Sequence, residues 1–157
     1  MAKTSSEVLI RPARRADVAA IAAMFAADTL GGHGDTADAE VLPDYLAAFD
    51  WIAESASNRL WVAEMEGEVV GTYQSTFMHT LTGRGSSSLT IEAVHTRHDF
   101  RGSGIGAKMI EHGIGQGREL GVRLVQLMSN AVRTDAHRFY ERLGFQKSHA
   151  GFKMKLR

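Results

Sequence analysis

Cysteine is absent from this sequence, and proline occurs only twice in 157 residues. Without a thiol the chain can form no disulfide, no thiolate metal site and no acyl-cysteine intermediate. It contains no stretch of 18 apolar residues, and the opening MAKTSSEV lacks the apolar run of a secretory signal peptide. We therefore expect a cytoplasmic protein with no membrane partner.

The length and the apolar content are those of one domain. A chain of 157 residues with 44% apolar residues can bury a core of its own, and no repeat or low-complexity linker divides it. We expect a single domain over residues 1–157, with residues 1–6 as a flexible tail.

Charge is balanced overall but is divided unevenly along the chain. Residues 1–96 contain 6 Lys or Arg and 13 Asp or Glu, whereas residues 97–157 contain 12 and 5, so the two parts carry −7 and +7. One interpretation is chance clustering of solvated charge. The other is that the basic part binds an anionic cofactor and the acidic part a cationic substrate. The basic residues are not interleaved with aromatic residues, which argues against a nucleic-acid partner.

Hydrophobic periodicity predicts strands and helices in alternation. The expected elements are a strand at 8–10, a helix from 17 to about 30, a loop over 31–40, a helix from 43 to 52, a hairpin of 60–63 and 69–77, a strand at 89–96, a helix from 104, a strand at 122–128, a helix from 134 to 143, and a closing hairpin of 145–147 and 152–156. The aromatic residues of the second helix are expected in the core. This order predicts an α/β or α+β fold, a mixed sheet with helices on both faces.

Four glycines and an isoleucine form a stripe along the helix that begins near Gly104. Gly106, Ile110, Gly113, Gly117 and Gly121 follow one another at spacings of three or four. A glycine inside a helix costs roughly 1 kcal/mol relative to alanine, so the stripe predicts that this helix lies close against a sheet.

The glycine-rich stretch over residues 101–106 joins an apolar strand to that helix. A P-loop is excluded because Ala107 and Met109 flank Lys108. The dinucleotide-binding fingerprint is only weakly matched, because Met109 or Ala107 stands where its third glycine would lie. Alternate glycines let backbone N–H groups point into one concavity, and the helix N-terminus adds unpaired N–H groups, an arrangement that suits a phosphate. A simple glycine-rich turn is the alternative.

Three segments in this order resemble the successive motifs of the GNAT N-acetyltransferase superfamily. They are Ile91-Glu92-Ala93-Val94-His95-Thr96, then Arg101-Gly102-Ser103-Gly104-Ile105-Gly106, then Ala136-His137-Arg138-Phe139-Tyr140-Glu141-Arg142-Leu143-Gly144-Phe145. The resemblance spans nearly the whole chain. It implies a single-domain fold with a mixed, mostly antiparallel central sheet, helices on both faces and two splayed central strands.

The resemblance also implies a place for acetyl-coenzyme A, without any metal. The cofactor would lie between the strand ending at Thr96 and the strand ending near Ser129, where the unpaired edge accepts the pantetheine arm as a missing strand. The implied cofactor-binding residues are Val94, His95, Thr96, Arg101, Gly102, Ser103, Gly104, Ile105 and Gly106.

Two side chains occupy positions where the family places its catalytic groups. Tyr140 is implied as the general acid, since a phenol stays protonated at neutral pH and can donate a proton to a departing thiolate; a packed helix tyrosine is the alternative. Glu92 is implied as the general base, and a water chain is the alternative. Arg133 stands where many members have an asparagine that contacts the pantetheine, so it is expected to reach the cofactor or the substrate; an exposed arginine in the first turn of the helix is the alternative.

These residues predict an acetyl-CoA-dependent N-acetyltransferase that acts by direct transfer in a ternary complex. The acceptor is expected to be a small cationic primary amine. His95 and His98 are spaced like metal ligands, but no carboxylate cluster accompanies them, so no metal is expected. The alternative function is a non-catalytic acyl-CoA-binding sensor or interaction module. A homodimer is plausible by base rate.

Overall fold

The computed structural model describes residues 6–30 and 33–157. Its strands are β1 (Leu9–Pro12), β2 (Asn58–Met65), β3 (Glu68–His79), β4 (Ser87–Thr96) and β5 (Leu124–Leu127), and its helices are α1 (Val18–Ala27), α2 (Leu42–Glu54), α3 (Thr82–Gly85), α4 (Ile105–Leu120) and α5 (Thr134–Arg142). α3 is a single turn. The flexible tail expected over residues 1–6 lies outside the described residues except for Ser6, whose hydroxyl donates a hydrogen bond to Glu66.

The five strands form one mixed sheet in the order β1-β2-β3-β4-β5. The first three pairs are antiparallel, and β5 lies parallel to β4. A two-residue turn at Glu66 and Gly67, both with positive φ, closes the β2–β3 hairpin, as expected. The expected mixed, mostly antiparallel sheet is confirmed.

Helices cover both faces of the sheet. On one face Ile21 and Met24 of α1 pack with Val62 of β2 in a small apolar cluster. On the other face Met109 and Ile110 of α4 form the larger core cluster with side chains from β2, β3 and β4, and residues of α5 pack against it. The side chains of β2 alternate between the two clusters because successive strand residues face opposite sides of a sheet.

The close approach predicted for α4 is confirmed. A methyl group at Gly113 would lie 2.6 Å from Cδ1 of Ile91, and one at Gly117 would lie 2.7 Å from Cγ2 of Val125. Both distances are shorter than any ordinary carbon contact. The two glycines therefore let the helix backbone rest directly on β4 and β5, and this contact fixes the position of the helix N-terminus.

An ion-pair network joins β1 to the start of α1. Arg11 donates to both carboxylate oxygens of Asp17, at 2.8 and 3.0 Å, and its Nε donates to Glu64 at 2.6 Å. The hydrogen bond from Arg11 lowers the pKa of Asp17 against the opposing effect of burial. The network holds β1, α1 and β2 together on the side of the sheet that faces away from α4.

Two expectations are wrong. Residues 145–157 contain neither helix nor strand, so the closing hairpin is not formed. The aromatic residues of α2 do not enter the core either: none of its residues is buried, and Trp51 is 76% exposed. α2 packs mainly against α1, the short turn that precedes α1 and β2, and its outer face is in solvent.

Candidate active site

The glycine-rich stretch forms an open turn at the N-terminus of α4. Gly102 and Gly104 have φ of 76° and 86°, in the left-handed region where a side chain is strained, and no atom lies within 4 Å of a methyl group built on either residue. Gly104 is the N-cap, and no side chain caps the helix. Within the described chain, no backbone carbonyl accepts from the amides of Gly102, Gly104, Ile105 or Gly106.

This turn fits the pyrophosphate of acetyl-CoA. Unpaired amides at a helix N-terminus, with the positive end of its dipole, attract an anion. Arg101 is exposed on the turn and makes no ion pair within the described residues. The side chain of Thr96 lies beside the first turn of α4, since a methyl group on Gly106 would be 3.8 Å from its Oγ1. The turn and the end of β4 therefore form one continuous surface.

β4 and β5 separate at the place where the pantetheine arm was expected. Their parallel pairing runs from Ser88 opposite Leu124 to Ile91 opposite Leu127, and β5 ends there. β4 continues to Thr96, and in the described chain no strand pairs with residues 92–96 on that side. Ala93 has a φ of 51°, and the register of β4 against β3 shifts at the same place. The bulge and the loss of a partner leave an open strand edge that can hydrogen-bond to an extended ligand.

Tyr140 lies on α5 beside this gap. Its ring packs edge-on against Phe139 and Phe145, with centroid distances of 5.2 and 6.1 Å. Burial raises the pKa of the Tyr140 phenol, and the nearby positive charge of Arg133 opposes that shift in part. No described residue hydrogen-bonds to the hydroxyl. The phenol is therefore protonated at neutral pH, and its proton is available to a ligand.

Glu92 is exposed next to the bulge of β4, opposite Gln74 of β3. Its neighbour Ile91 is buried against α4, so the Glu92 side chain points to the opposite face of the sheet, the face that α1 and α2 cover. Within the described residues its carboxylate makes no ion pair. An unpaired carboxylate beside the open edge can accept a proton from an incoming amine.

A carboxylate that sequence reasoning missed joins the two sides of the gap. Oδ2 of Asp28, at the end of α1, lies 3.0 Å from Nε2 of His95 on β4 and 2.5 Å from Nη2 of Arg133 at the start of α5. The Asp28 side chain is only 8% exposed. Although burial raises its pKa, hydrogen bonds from Arg133 and His95 lower it to about 2. Asp28 thus holds β4 and α5 at a fixed separation.

Arg133 was expected to reach the cofactor or the substrate. The structure pairs its guanidinium with Asp28, and its contact with the cofactor or the substrate stays a prediction. His95 was singled out for its backbone, but its side chain also faces the gap, packed edge-on against Phe25 at a centroid distance of 4.9 Å. The sequence carries no local signal for Asp28, because it stands 67 and 105 residues from its partners.

A cleft of about 270 Å³ opens beside this cluster. Its walls are formed by Phe25, Asp28, Thr29, His33, Gly34, Asp35 and His95. The carboxylate of Asp35 accepts a hydrogen bond of 2.8 Å from the hydroxyl of Tyr45, which fixes one wall. The loop expected over residues 31–40 supplies that wall through residues 33–35, while residues 31 and 32 lie outside the described residues. The cleft can receive a small molecule next to Asp35 and His95.

No group of three or more histidine or acidic side chains in the described ranges could hold a metal ion. His95 and His98 do not converge on one point, since the ring of His95 is bonded to Asp28. Over the same part of the chain, no helix has the length and apolar character needed to span a membrane.

Comparison with known proteins identifies the family. A model of the acetyltransferase (GNAT) family matches residues 19–145. The uncharacterized N-acetyltransferase YjgM of Escherichia coli is 34% identical over 86 residues, which cover 55% of this chain and 50% of that protein. The chain belongs to the acetyltransferase (GNAT) family, as the three motifs predicted, and acetyl-CoA is the cosubstrate of that family.

Solved structures share the whole fold. The crystal structure of a transcriptional regulator from Bacillus halodurans is 39% identical, has a TM-score of 0.92 and covers 96% of this chain and 100% of its own. Aminoglycoside N-acetyltransferase AAC(6')-Iy in complex with CoA has a TM-score of 0.79 at 16% identity, with 100% of this chain and 99% of its own covered, and shows the fold alone. The chain spans half or less of the length of the curated relatives it matches.

Proposed function

We propose that this single domain over residues 1–157 transfers the acetyl group of acetyl-CoA directly to a small cationic primary amine in a ternary complex. The observation that carries the proposal is the gap between β4 and β5. Unpaired amides lie at its α4 end, Glu92 lies beside the bulge of β4, Tyr140 lies on α5, and a separate cleft is lined by Asp28, Asp35 and His95. Binding both substrates across one gap makes the transfer intramolecular, which can contribute roughly 7–11 kcal/mol to lowering the barrier.

Each group in the gap has one task in this proposal. Amides of the turn at 101–106 hold the pyrophosphate, and the open edge of β4 over residues 94–96 orients the pantetheine arm. Glu92, or a water that it binds, removes a proton from the acceptor ammonium. A backbone amide of Val94 or His95 donates to the carbonyl oxygen as negative charge develops on it. Tyr140 donates its proton to the sulfur that leaves.

The acidic walls support a cationic acceptor. Asp35 lines the cleft and Asp38 and Glu40 are exposed in the same loop, while Glu92 lies at the reacting end. Asp28 is already bonded to Arg133 and His95 and so adds little attraction of its own. An ammonium group entering this cleft would therefore meet Asp35 first and Glu92 last.

The proposal is tested by thiol release. Purified protein is mixed with acetyl-CoA and a panel of primary amines, amino acids and amino sugars, and free CoA is measured with a thiol reagent. The chain has no cysteine, so the reagent reports the product alone. We expect release with cationic amines and acetylated amine by mass spectrometry.

Tyr140→Phe separates catalysis from binding. The ring and its packing stay, and only the donated proton is lost, so kcat should fall by about 10- to 1000-fold while acetyl-CoA binding by calorimetry hardly changes. If the folded Tyr140→Phe variant kept full turnover, another group or solvent would have to donate the proton to the leaving sulfur.

The second candidate is a sensor that binds acyl-CoA without catalysis. The relative that is 39% identical carries the name of a transcriptional regulator, which favours this alternative. Tight acetyl-CoA binding without thiol release for any amine would support it. A cytoplasmic location and the absence of nucleic-acid and membrane partners stay predictions.

A further inference from the structure

The side chain of His95 connects the end of α1 to the bulge of β4. Its Nδ1 lies 3.2 Å from the carbonyl oxygen of Ala93, and its Nε2 lies 3.0 Å from Oδ2 of Asp28. Its ring packs edge-on against Phe25 of α1 at a centroid distance of 4.9 Å. Contacts at both nitrogens and with the ring of Phe25 fix the orientation of the imidazole.

Both ring nitrogens of His95 face groups that only accept hydrogen bonds. The carbonyl of Ala93 has no proton to give. Although burial raises the pKa of the Asp28 carboxyl, hydrogen bonds from Arg133 and His95 lower it to about 2, so this group is ionised as well. Each contact is therefore a hydrogen bond only when that nitrogen carries a proton. The doubly protonated ring donates to both partners at once and ties Ala93 to Asp28.

Ala93 is a strained position in β4. Its φ of 51° lies in the left-handed region, which is unfavourable for a residue with a side chain, and the register of β4 against β3 shifts there. Ala93 is exposed, so packing of its side chain does not compensate. Strained backbone persists only where the surrounding structure holds it, and the hydrogen bond from His95 to the Ala93 carbonyl supplies such support.

We propose that the side chain of His95 is a positioning residue for acetyl transfer, anchored on Asp28, that holds the bulge of β4 in its reactive geometry. This role rests on the proposed function, in which amides of Val94 or His95 donate to the carbonyl oxygen and Glu92 takes a proton from the amine. These groups all lie within two residues of Ala93. A displacement of about 1 Å can lower the rate of such a site by roughly 100-fold.

Two conservative substitutions separate the two nitrogens of the imidazole. The side-chain nitrogen of asparagine takes the place of Nδ1, whereas that of glutamine takes the place of Nε2. His95→Asn therefore keeps a donor for Ala93, and His95→Gln keeps a donor for Asp28. We expect kcat for thiol release to be about 10- to 100-fold lower in His95→Gln than in the native chain, and His95→Asn to recover most of that loss. The affinity for acetyl-CoA should change by much less than kcat in both variants.

His149→Gln, at an exposed histidine, is the matched control and should not change kcat. If anchoring to Asp28 were the only role of His95, His95→Gln would be the milder of the two changes. That order, or equal kcat values in the two folded variants, would overturn the proposal.

Ala93→Gly tests the bulge from the backbone. Glycine adopts a positive φ without strain, so a bulge with glycine at position 93 needs less support. The double variant Ala93→Gly, His95→Gln should therefore recover most of the kcat that His95→Gln loses. If His95→Gln lowers kcat by the same factor with alanine and with glycine at position 93, the imidazole does not act through the bulge and the proposal is wrong.

Nitrogen NMR distinguishes failure of this proposal from failure of the proposed function. Long-range ¹H–¹⁵N spectra at the pH of the assay report which ring nitrogens carry a proton, and the spectrum of His95→Gln identifies the His95 signals among those of the 7 histidines. We expect a proton on both nitrogens. Thiol release by a native chain whose Nδ1 carries no proton would overturn the role of His95 alone. A native chain that releases no thiol with any amine would overturn the proposed function and, with it, this role.

Discussion

Asp28 shows how one buried carboxylate can set the geometry of a site. Its Oδ2 atom is shared by His95 from β4 and Arg133 from α5, so the three side chains connect elements that the backbone does not pair near the gap. Replacing the carboxylate by a neutral amide would leave the guanidinium and the imidazole with one weaker, uncharged acceptor oxygen, and poorly paired polar groups are costly when partly buried.

Asp28→Asn should therefore destabilise the protein at neutral pH by roughly 1–2 kcal/mol. Because the folded-state pKa is depressed to about 2, the carboxylate of Asp28 contributes its full stability above the unfolded-state pKa of about 3.9 and loses it as pH falls through about 2. The difference between native and variant chains in urea unfolding should be constant at pH 5–7 and shrink between pH 4 and pH 2. Asp38→Asn, at an exposed loop residue, is the control. It should change neither the stability at neutral pH nor its dependence on pH. A difference that is independent of pH would contradict this account.

Glu92 is expected to remove a proton from the ammonium group of the acceptor. Glu92→Gln keeps the shape of the side chain but removes the base, so kcat/KM for the amine should fall most at neutral pH and least at high pH, where the free amine is abundant. Acetyl-CoA binding should not change. Glu119→Gln, an exposed change on α4, serves as the charge-matched control. If Glu92→Gln did not change kcat/KM at any pH, a water chain rather than Glu92 would be the base.

At the scale of an element, α4 combines two kinds of glycine. Gly113 and Gly117 let the helix rest on the sheet, whereas Gly104 shapes the turn that precedes it. Gly115 has neither role, because its φ is not positive and no atom lies within 4 Å of a methyl group built on it. Glycine can therefore be replaced by alanine at Gly104, where a positive φ is required, and at Gly115, where no such requirement exists, and the two effects can be compared.

Gly104→Ala should weaken acetyl-CoA binding and also destabilise the fold by about 1 kcal/mol, since φ is +86° and L side chains are strained there. Gly115→Ala should leave binding unchanged and stabilise the helix by about 0.4–1 kcal/mol. Calorimetric titration measures the affinity for acetyl-CoA, and thermal unfolding measures the stability of each variant. If the two folded variants bound acetyl-CoA with equal affinity, the pyrophosphate would not bind at this turn.

At the scale of the whole molecule, we propose that the division of charge supplies long-range attraction for the two substrates. The part before residue 97 carries −7 and contributes Asp28 and Asp35 to the cleft, while the part after it carries +7 and contributes the turn at 101–106. Two substrates of opposite charge can thus be drawn to opposite ends of one gap.

This attraction should depend on salt. Exposed charges are screened beyond about 10 Å at 0.1 M ionic strength, so kcat/KM for a cationic amine should fall as salt is raised, while kcat at saturation changes little. A neutral amine of similar size is the control and should show no such fall. A best substrate that is anionic would mean that the acidic residues are ordinary solvated charge.

The sequence by itself determined most of the helices and strands and the family of the chain. Periodicity identified the β2–β3 hairpin, β4 and α4, since these depend on residues three, four or two apart. The glycine stripe predicted the contact of α4 with the sheet, because a missing side chain is visible in the sequence. The three motifs identified the family and named Tyr140 and Glu92, whose roles stay predictions.

Only the tertiary structure decided what depends on distant partners. Asp28 joins His95 and Arg133 across 67 and 105 residues, and no local pattern predicts such a contact. The alternation at residues 152–156 predicted a strand, yet a strand also needs a partner, and in the described chain this segment pairs with no other strand although the outer edge of β5 is free. The pattern of apolar residues predicts which face of a segment can be buried. Whether that face is buried depends on which other elements the tertiary structure brings next to it.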